Sequence, residues 1–202
     1  MSEASRNLWI DPILHTGRPK DAASRSASEQ AVYDFLDSLQ IRYERLDHEA
    51  TPSIECCEEV EKLLGAHICK NLFLCNRQKT DFYLLVMSGR KPFRTKELSS
   101  QIGSARLSFA SPVFMEQFLH TSPGSASILG LLFDREHHVR LLIDRDIVEN
   151  PLFACHPCAN TSSLRLRTVD VLERILPALD VRPSYVSLSW AEASKASSPL
   201  MG

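Results

Sequence analysis

No apolar run in this chain approaches the ~20 residues that a membrane span needs, so no transmembrane helix is expected. Nor is the N-terminal stretch expected to be a secretion signal: Glu3 and Asp11 sit in it and no long apolar segment accompanies them. Without such a signal, the six cysteines read as reduced thiols of a cytoplasmic protein rather than as a disulfide framework. The chain also lacks a phosphate-cradling Gly-rich loop, a Gly-x-Ser-x-Gly elbow, a His-Glu-x-x-His helix and any internal repeat. Most familiar enzyme classes fit it poorly for that reason. Strong charge of either sign is absent: the net charge is -2, with 24% charged residues. That is the balance of an ordinary globular protein.

At 202 residues with 44% hydrophobic content, the chain can bury a core without disulfides or metal. The pattern predicts an arm over 1–25, a single domain over 26–188 and a tail over 189–202. Ser26 and Glu29 form a capping box ahead of the stripe Val32, Phe35, Leu36 and Leu39. "IRYERLDH" alternates like a strand, and "TPSIECCEEVEKLLG" reads as a helix capped by Ser53, ended by Gly65 and carrying Cys57 on its inner face. "NLFLC" and "DFYLLVMS" form a hairpin or neighbouring strands. A helix capped by Thr95, a short strand "RLSF" and a helix with Pro112 in its first turn come next. "SILGLLFD" and "HVRLLID" are expected to pair around Asp134-Arg135-Glu136, then "SLRLRT" alternates, "TVDVLERILPAL" is helical and "SYVSL" closes as a strand. The helices and strands do not alternate regularly enough for a doubly wound sheet. The fold class is therefore α+β, with roughly six or seven strands.

The most conspicuous chemistry is "CHPCANTSSLRL". A zinc site needs about four ligands, and Cys155 and Cys158 have no second Cys-x-x-Cys to join. If the stretch is extended, Cys155 and His156 face opposite sides. A redox dithiol would open a helix, whereas this one leads into a strand. Buried thiols are the better reading, and no metal is expected. His156, Asn160 and Thr161 are left as the polar content, with Pro157 fixing the backbone beside them. Lys70 stands just before an apolar strand, where it could pair with an anion or simply extend to water. From Lys70 to Lys96 seven basic residues (Lys70, Arg77, Lys79, Arg90, Lys91, Arg94, Lys96) face one acid, Asp81. Such a stretch is either a phosphate-binding face or a solvated loop surface.

Three separated segments then carry a resemblance: "GAHICKNLFLCNRQKTDFYLLVMSGRKPFRTKELSSQIGSARLSFAS", "PGSASILGLLFD" and "FACHPCANTSSLRLRT". Together they resemble the free-standing prolyl-tRNA editing-domain family, the YbaK/ProX-like proteins, and within it the PrdX branch. The likeness spans about Ala27 to Leu188. It implies a compact α+β domain around a mixed, curved sheet, and hydrolysis of mischarged aminoacyl-tRNA, chiefly alanyl-tRNA for proline. It also implies a site that uses neither metal nor cofactor.

Carried over by motif, the Lys-Asn pair falls on Lys70 and Asn71. The Gly-containing loop falls on Gly124 to Gly130, with Ser125, Ile128 and Leu129, and the His-Pro-x-x-Asn-Thr motif on His156, Pro157, Asn160 and Thr161. Lys70 would serve the ribose–phosphate end, and Asn71 and His156 the terminal adenosine, ester or water. Gly124 and Gly130 would let the aminoacyl group come close to the backbone. Arg77, Lys79, Arg90, Lys91, Arg94 and Lys96 would face the acceptor stem. Many relatives have Pro-Phe-Gly where this chain has Ile128-Leu129-Gly130; those side chains are expected to limit the pocket, so trimming them should admit larger aminoacyl groups. The implied partners are mischarged tRNA and prolyl-tRNA synthetase. The alternatives are a module that senses aminoacyl-tRNA without hydrolysing it, and a branch that acts on a small acylated compound.

Overall fold

The computed structural model describes residues 9–50 and 54–190. Among these, the strands are β1 (His15–Thr16), β2 (Glu44–Asp47), β3 (Cys69–Cys75), β4 (Phe82–Ser88) and β5 (Ser108–Phe109), followed by β6 (Val139–Asp144), β7 (Leu152–Cys155), β8 (Ser162–Arg167) and β9 (Ser184–Val186). The helices are α1 (Ala27–Ser38), α2 (Ile54–Leu64), α3 (Thr95–Gln101), α4 (Pro112–Leu119), α5 (Arg145–Glu149) and α6 over 168–178, whose middle, Val171–Ile175, is wound as a π-helix.

The strands form two sheets, not one. The first has the order β1-β2-β8-β7 and is antiparallel throughout. The second has the order β5-β3-β4-β6-β9; β3 pairs antiparallel with β4 and β5, while β4–β6 and β6–β9 are parallel. An isolated bridge between Ile68 and Ala154 joins them. The unbroken apolar run of β4 reflects its central place, since Phe82 to Met87 are all buried. Val32, Tyr33 and Leu36 of α1 pack with Phe73, Leu84, Val86 and Phe153 in the main core. Leu74, Leu85 and Met87 face the other way, onto Leu98 of α3. Covering the five-stranded sheet on both faces makes it rigid enough to hold a site at its edge.

Four local expectations change. Ile128–Leu132 is a 3-10 turn rather than a strand, started by the Ser127 hydroxyl, which accepts from Leu129 N at 3.2 Å. β6 therefore pairs with β4 and β9, and the Asp134 carboxylate accepts from His138 N and Val139 N at its entry. Thr95 is the first residue of α3 and makes no cap; the N-cap is Arg94. Ser26 does accept from Glu29 N at 3.2 Å, but the Glu29 carboxylate accepts from Tyr33 Oη at 2.7 Å and so closes only half a capping box. The arm is also bound from Ile10 onward, through a bridge to His48 and the β1–β2 pairing. Ser53 and the Cys57 side chain lie outside the described residues. Gly65 ends α2 as expected, at φ +66°. A Cβ there would lie 2.6 Å from Nη1 of Arg165, which donates to Leu64 O. The left-handed backbone is what calls for glycine here, and a side chain would also push the Arg165 guanidinium aside.

Candidate active site

β5 pairs with β3 only at Leu74 and Cys75. The edge of β3 at Lys70 to Leu72 consequently has no strand beside it, and a cleft of about 640 Å³ opens there. Lys70, Asn71, Gly124 and His156 all line it, although they come from three distant stretches of chain. Its apolar wall includes Phe73, Phe109, Ala110, Met115 and Ala126, and Arg90 and Glu61 stand at its side.

Lys70 Nζ donates to the Lys91 carbonyl at 2.9 Å. An ammonium has three donors, so two remain for a ligand. Asn71 Nδ2 donates to Cys69 O at 3.1 Å, while its Oδ1 is buried without a partner. Such an orphaned acceptor is costly unless a ligand or water completes it. His156 is 9% exposed. Its Nδ1 lies 2.8 Å from the Ser162 carbonyl, which can only accept. The proton is therefore assigned to Nδ1, and Nε2 keeps its lone pair. Burial holds the imidazole below its ordinary pKa, against the pull of that carbonyl, and nearby His48 lowers it further. His156 is a neutral imidazole with a free acceptor nitrogen.

Two residues behind His156 carried no signal in the sequence. Ser127, fully buried, donates to the His156 carbonyl at 2.6 Å and so ties the 3-10 turn to this loop. His48 Nδ1 donates to Glu49 O at 2.8 Å, leaving Nε2 to accept from Ser163 Oγ at 2.9 Å. The Ser163 hydroxyl is also 3.5 Å from His156 Nδ1.

Other expected site residues lie elsewhere. Ile128 and Leu129 are each 1% exposed, packed in the main core and absent from the cleft lining. Gly130 serves packing: a Cβ there would lie 3.0 Å from the Leu119 carbonyl. Ser125 is buried and bonds with Ser122. Gly124, at φ +88°, does face the cleft, with its missing Cβ 3.4 Å from Asn160 Nδ2. Thr161 lines a different cleft with Trp9 and Arg18.

The basic stretch does not form one face. Lys91 is 1% exposed, and its Nζ contacts Asp144 at 2.6 Å and Asp146 at 2.8 Å beneath the Trp190 ring. Buried and facing two carboxylates, it cannot reach a phosphate at the surface. Arg77 and Lys79 sit in the β3–β4 turn, a strand length of roughly 20 Å from Lys70. Arg90 is at the cleft and exposed, 3.7 Å from Glu61. Arg94 lies 3.8 Å from Glu97, and Lys96 is exposed on α3.

Cys155 and Cys158 are buried free thiols whose pKa burial raises strongly. Among the described residues, Asp11, His15 and Asp47 stand at metal-ligating separations. They are not in this cleft, and the Asp47 carboxylate already accepts from Arg25 and Arg45.

Residues 48–173 match the model of the aminoacyl-tRNA editing domain. The chain is 33% identical over 151 residues to the prolyl-tRNA editing protein ProX of Acetoanaerobium sticklandii, covering 75% of this chain and 92% of that one. It is 30% identical over 142 residues to the mouse prolyl-tRNA synthetase associated domain-containing protein 1, covering 68% and 83%. A solved structure described as a candidate trans-editing enzyme for prolyl tRNA synthetase superposes with a TM-score of 0.59 at 15% identity, covering 82% of this chain and 99% of that one.

Proposed function

The chain belongs to the aminoacyl-tRNA editing-domain family, and from that premise we propose that it is a deacylase acting in trans on mischarged tRNA, above all alanyl-tRNA for proline. The observation that carries this reading is the meeting of Lys70, Asn71 and His156 in one cleft at the open edge of β3. In the hydrolysis, water oxygen adds to the ester carbonyl, the bond to the ribose oxygen breaks, and that oxygen takes a proton. Free amino acid and tRNA leave.

An ester of the terminal ribose is already activated, so orientation and charge stabilisation supply most of what is needed. The two spare donors of Lys70 suit the developing oxyanion or the adjoining phosphate. The Nε2 lone pair of His156 can accept a proton from water or from the neighbouring ribose hydroxyl. Asn71 and Asn160 orient the substrate, and Gly124 leaves room beside them. Arg90, exposed at the side of the cleft, is the basic residue placed to meet an acceptor stem.

A synthetase pocket built for proline cannot exclude alanine by size. One missing methylene is worth only ~1–3 kcal/mol of discrimination. A second site that admits alanine and rejects the proline ring removes the error, and the wall formed by Met115, Ala126 and Phe73 suits that task. Prolyl-tRNA synthetase would supply the substrate, in the cytoplasm. The deciding experiment is release of free alanine from alanyl-tRNA by purified protein, with prolyl-tRNA spared and Lys70→Ala folded but inactive. Binding without release would make the protein a sensor of aminoacyl-tRNA instead.

A further inference from the structure

We propose that Phe109 is a stacking platform for the base of the substrate's terminal nucleotide; this rests on the deacylase reading and deepens it. Phe109 is 63% exposed. Single exposed apolar residues are common, so exposure alone carries little. What sets this ring apart is its place: it lines the same cleft as Lys70, Asn71 and His156, on a two-residue edge strand. It is also braced, since the Phe93 ring stands 6.0 Å away at 62° and packs in turn on the second core cluster. A braced, solvent-facing aromatic at the mouth of a cleft offers a rigid π-face at small entropic cost.

The register fixes its direction. Phe109 lies opposite Leu74 on β3, and alternation puts Leu74, Leu72 and Lys70 on one face of the sheet. Lys70 therefore shares a face with Phe109, four residues or about 13 Å along the strand. That separation suits a ligand held at its ester or phosphate by Lys70 and at its base by Phe109. Unpaired RNA ends are recognised in this way, with splayed bases stacked on aromatic side chains.

The test compares Phe109→Ala, Phe109→Leu and Phe109→Trp for alanyl-tRNA hydrolysis, and measures adenosine and ribose 5-phosphate binding by calorimetry. Loss of one base–aromatic stack should raise KM by about 5- to 150-fold in the Ala variant, with kcat changed far less. Trp should restore KM and Leu should not. Adenosine should bind the wild type and lose that affinity in the Ala variant, while ribose 5-phosphate is indifferent to the change. An unchanged KM, or rescue by Leu as complete as by Trp, would overturn the proposal. If the wild type releases no alanine, the deacylase reading fails; the adenosine comparison then still decides the stack, with equal affinity in wild type and Ala variant refuting it.

Discussion

Leu129→Ala should be a stability variant and not a specificity variant. The side chain is 1% exposed, lies in the main core and does not line the cleft. Truncating a leucine in such a place costs about 2–5 kcal/mol, the spread depending on how far the cavity collapses. In a domain of this size each kcal/mol lowers Tm by about 2–4 °C, so a fall of roughly 4–20 °C is expected. Ile128, equally buried, should behave alike. The two together would remove much of a typical total stability of about 5–15 kcal/mol, so single variants are the ones to use. Met115 is the contrast: it is 8% exposed and lines the cleft. Met115→Ala should raise hydrolysis of larger aminoacyl-tRNAs relative to alanyl-tRNA, whereas Leu129→Ala should leave that ratio unchanged in its folded fraction. Thermal melts and side-by-side deacylation rates measure both. A Leu129→Ala protein as stable as wild type, and newly active on prolyl-tRNA, would refute the argument.

Lys91→Met should destabilise by about 3–5 kcal/mol, because it leaves the buried Asp144 carboxylate uncompensated; Arg90→Glu should instead keep the fold and weaken tRNA binding with a shallower salt dependence, as filter binding against urea melts will show. His48 and His156 both have pKa values lowered by burial. The unfolded chain then takes up protons first as pH falls, so their contribution is full above the ordinary value of 6.5 and is lost below it, through the window down to the folded values; urea midpoints at several pH values check the sign. The acid limb of the deacylation pH profile should likewise lie below 6.5 if His156 works as the neutral imidazole. Native protein should resist alkylation at Cys69, whose thiol is pushed up to about 12, and at Cys155 and Cys158, and replacing the last two with Ala should leave considerable activity, read by peptide mass mapping and deacylation rate.

The elements readable in the sequence were those with a strong local cause. Apolar runs on either side of a polar turn marked β3 and β4, alternation marked β2 and β8, Pro112 opened α4, and Gly65 ended α2. The likeness in three segments pointed to Lys70, Asn71, Gly124 and His156, which share one cleft. What stayed hidden depends on tertiary context. "SILGLLFD" is apolar enough for a strand, yet Ser127 caps its start and Gly130 packs on Leu119, which selects a 3-10 turn. Lys91 looks like any loop lysine until Asp144 and Asp146, more than fifty positions later, converge on it. His48 and Ser163 gain meaning only through the pairing of β2 with β8.

The Lys91 cluster also bears on how this protein is made. Lys70 is held by a carbonyl whose residue is anchored by Asp144 and Asp146, and these in turn accept from Leu188 N and Trp190 Nε1. The first half of the cleft is thus fastened by the last described residues to leave the ribosome. A nascent chain halted before residue 184 would present β3 and its lysine without β9 or the contacts from Leu188 and Trp190. Catalytic competence should therefore arrive late in synthesis, once residues 184–190 are free to add β9 and the Leu188 and Trp190 contacts.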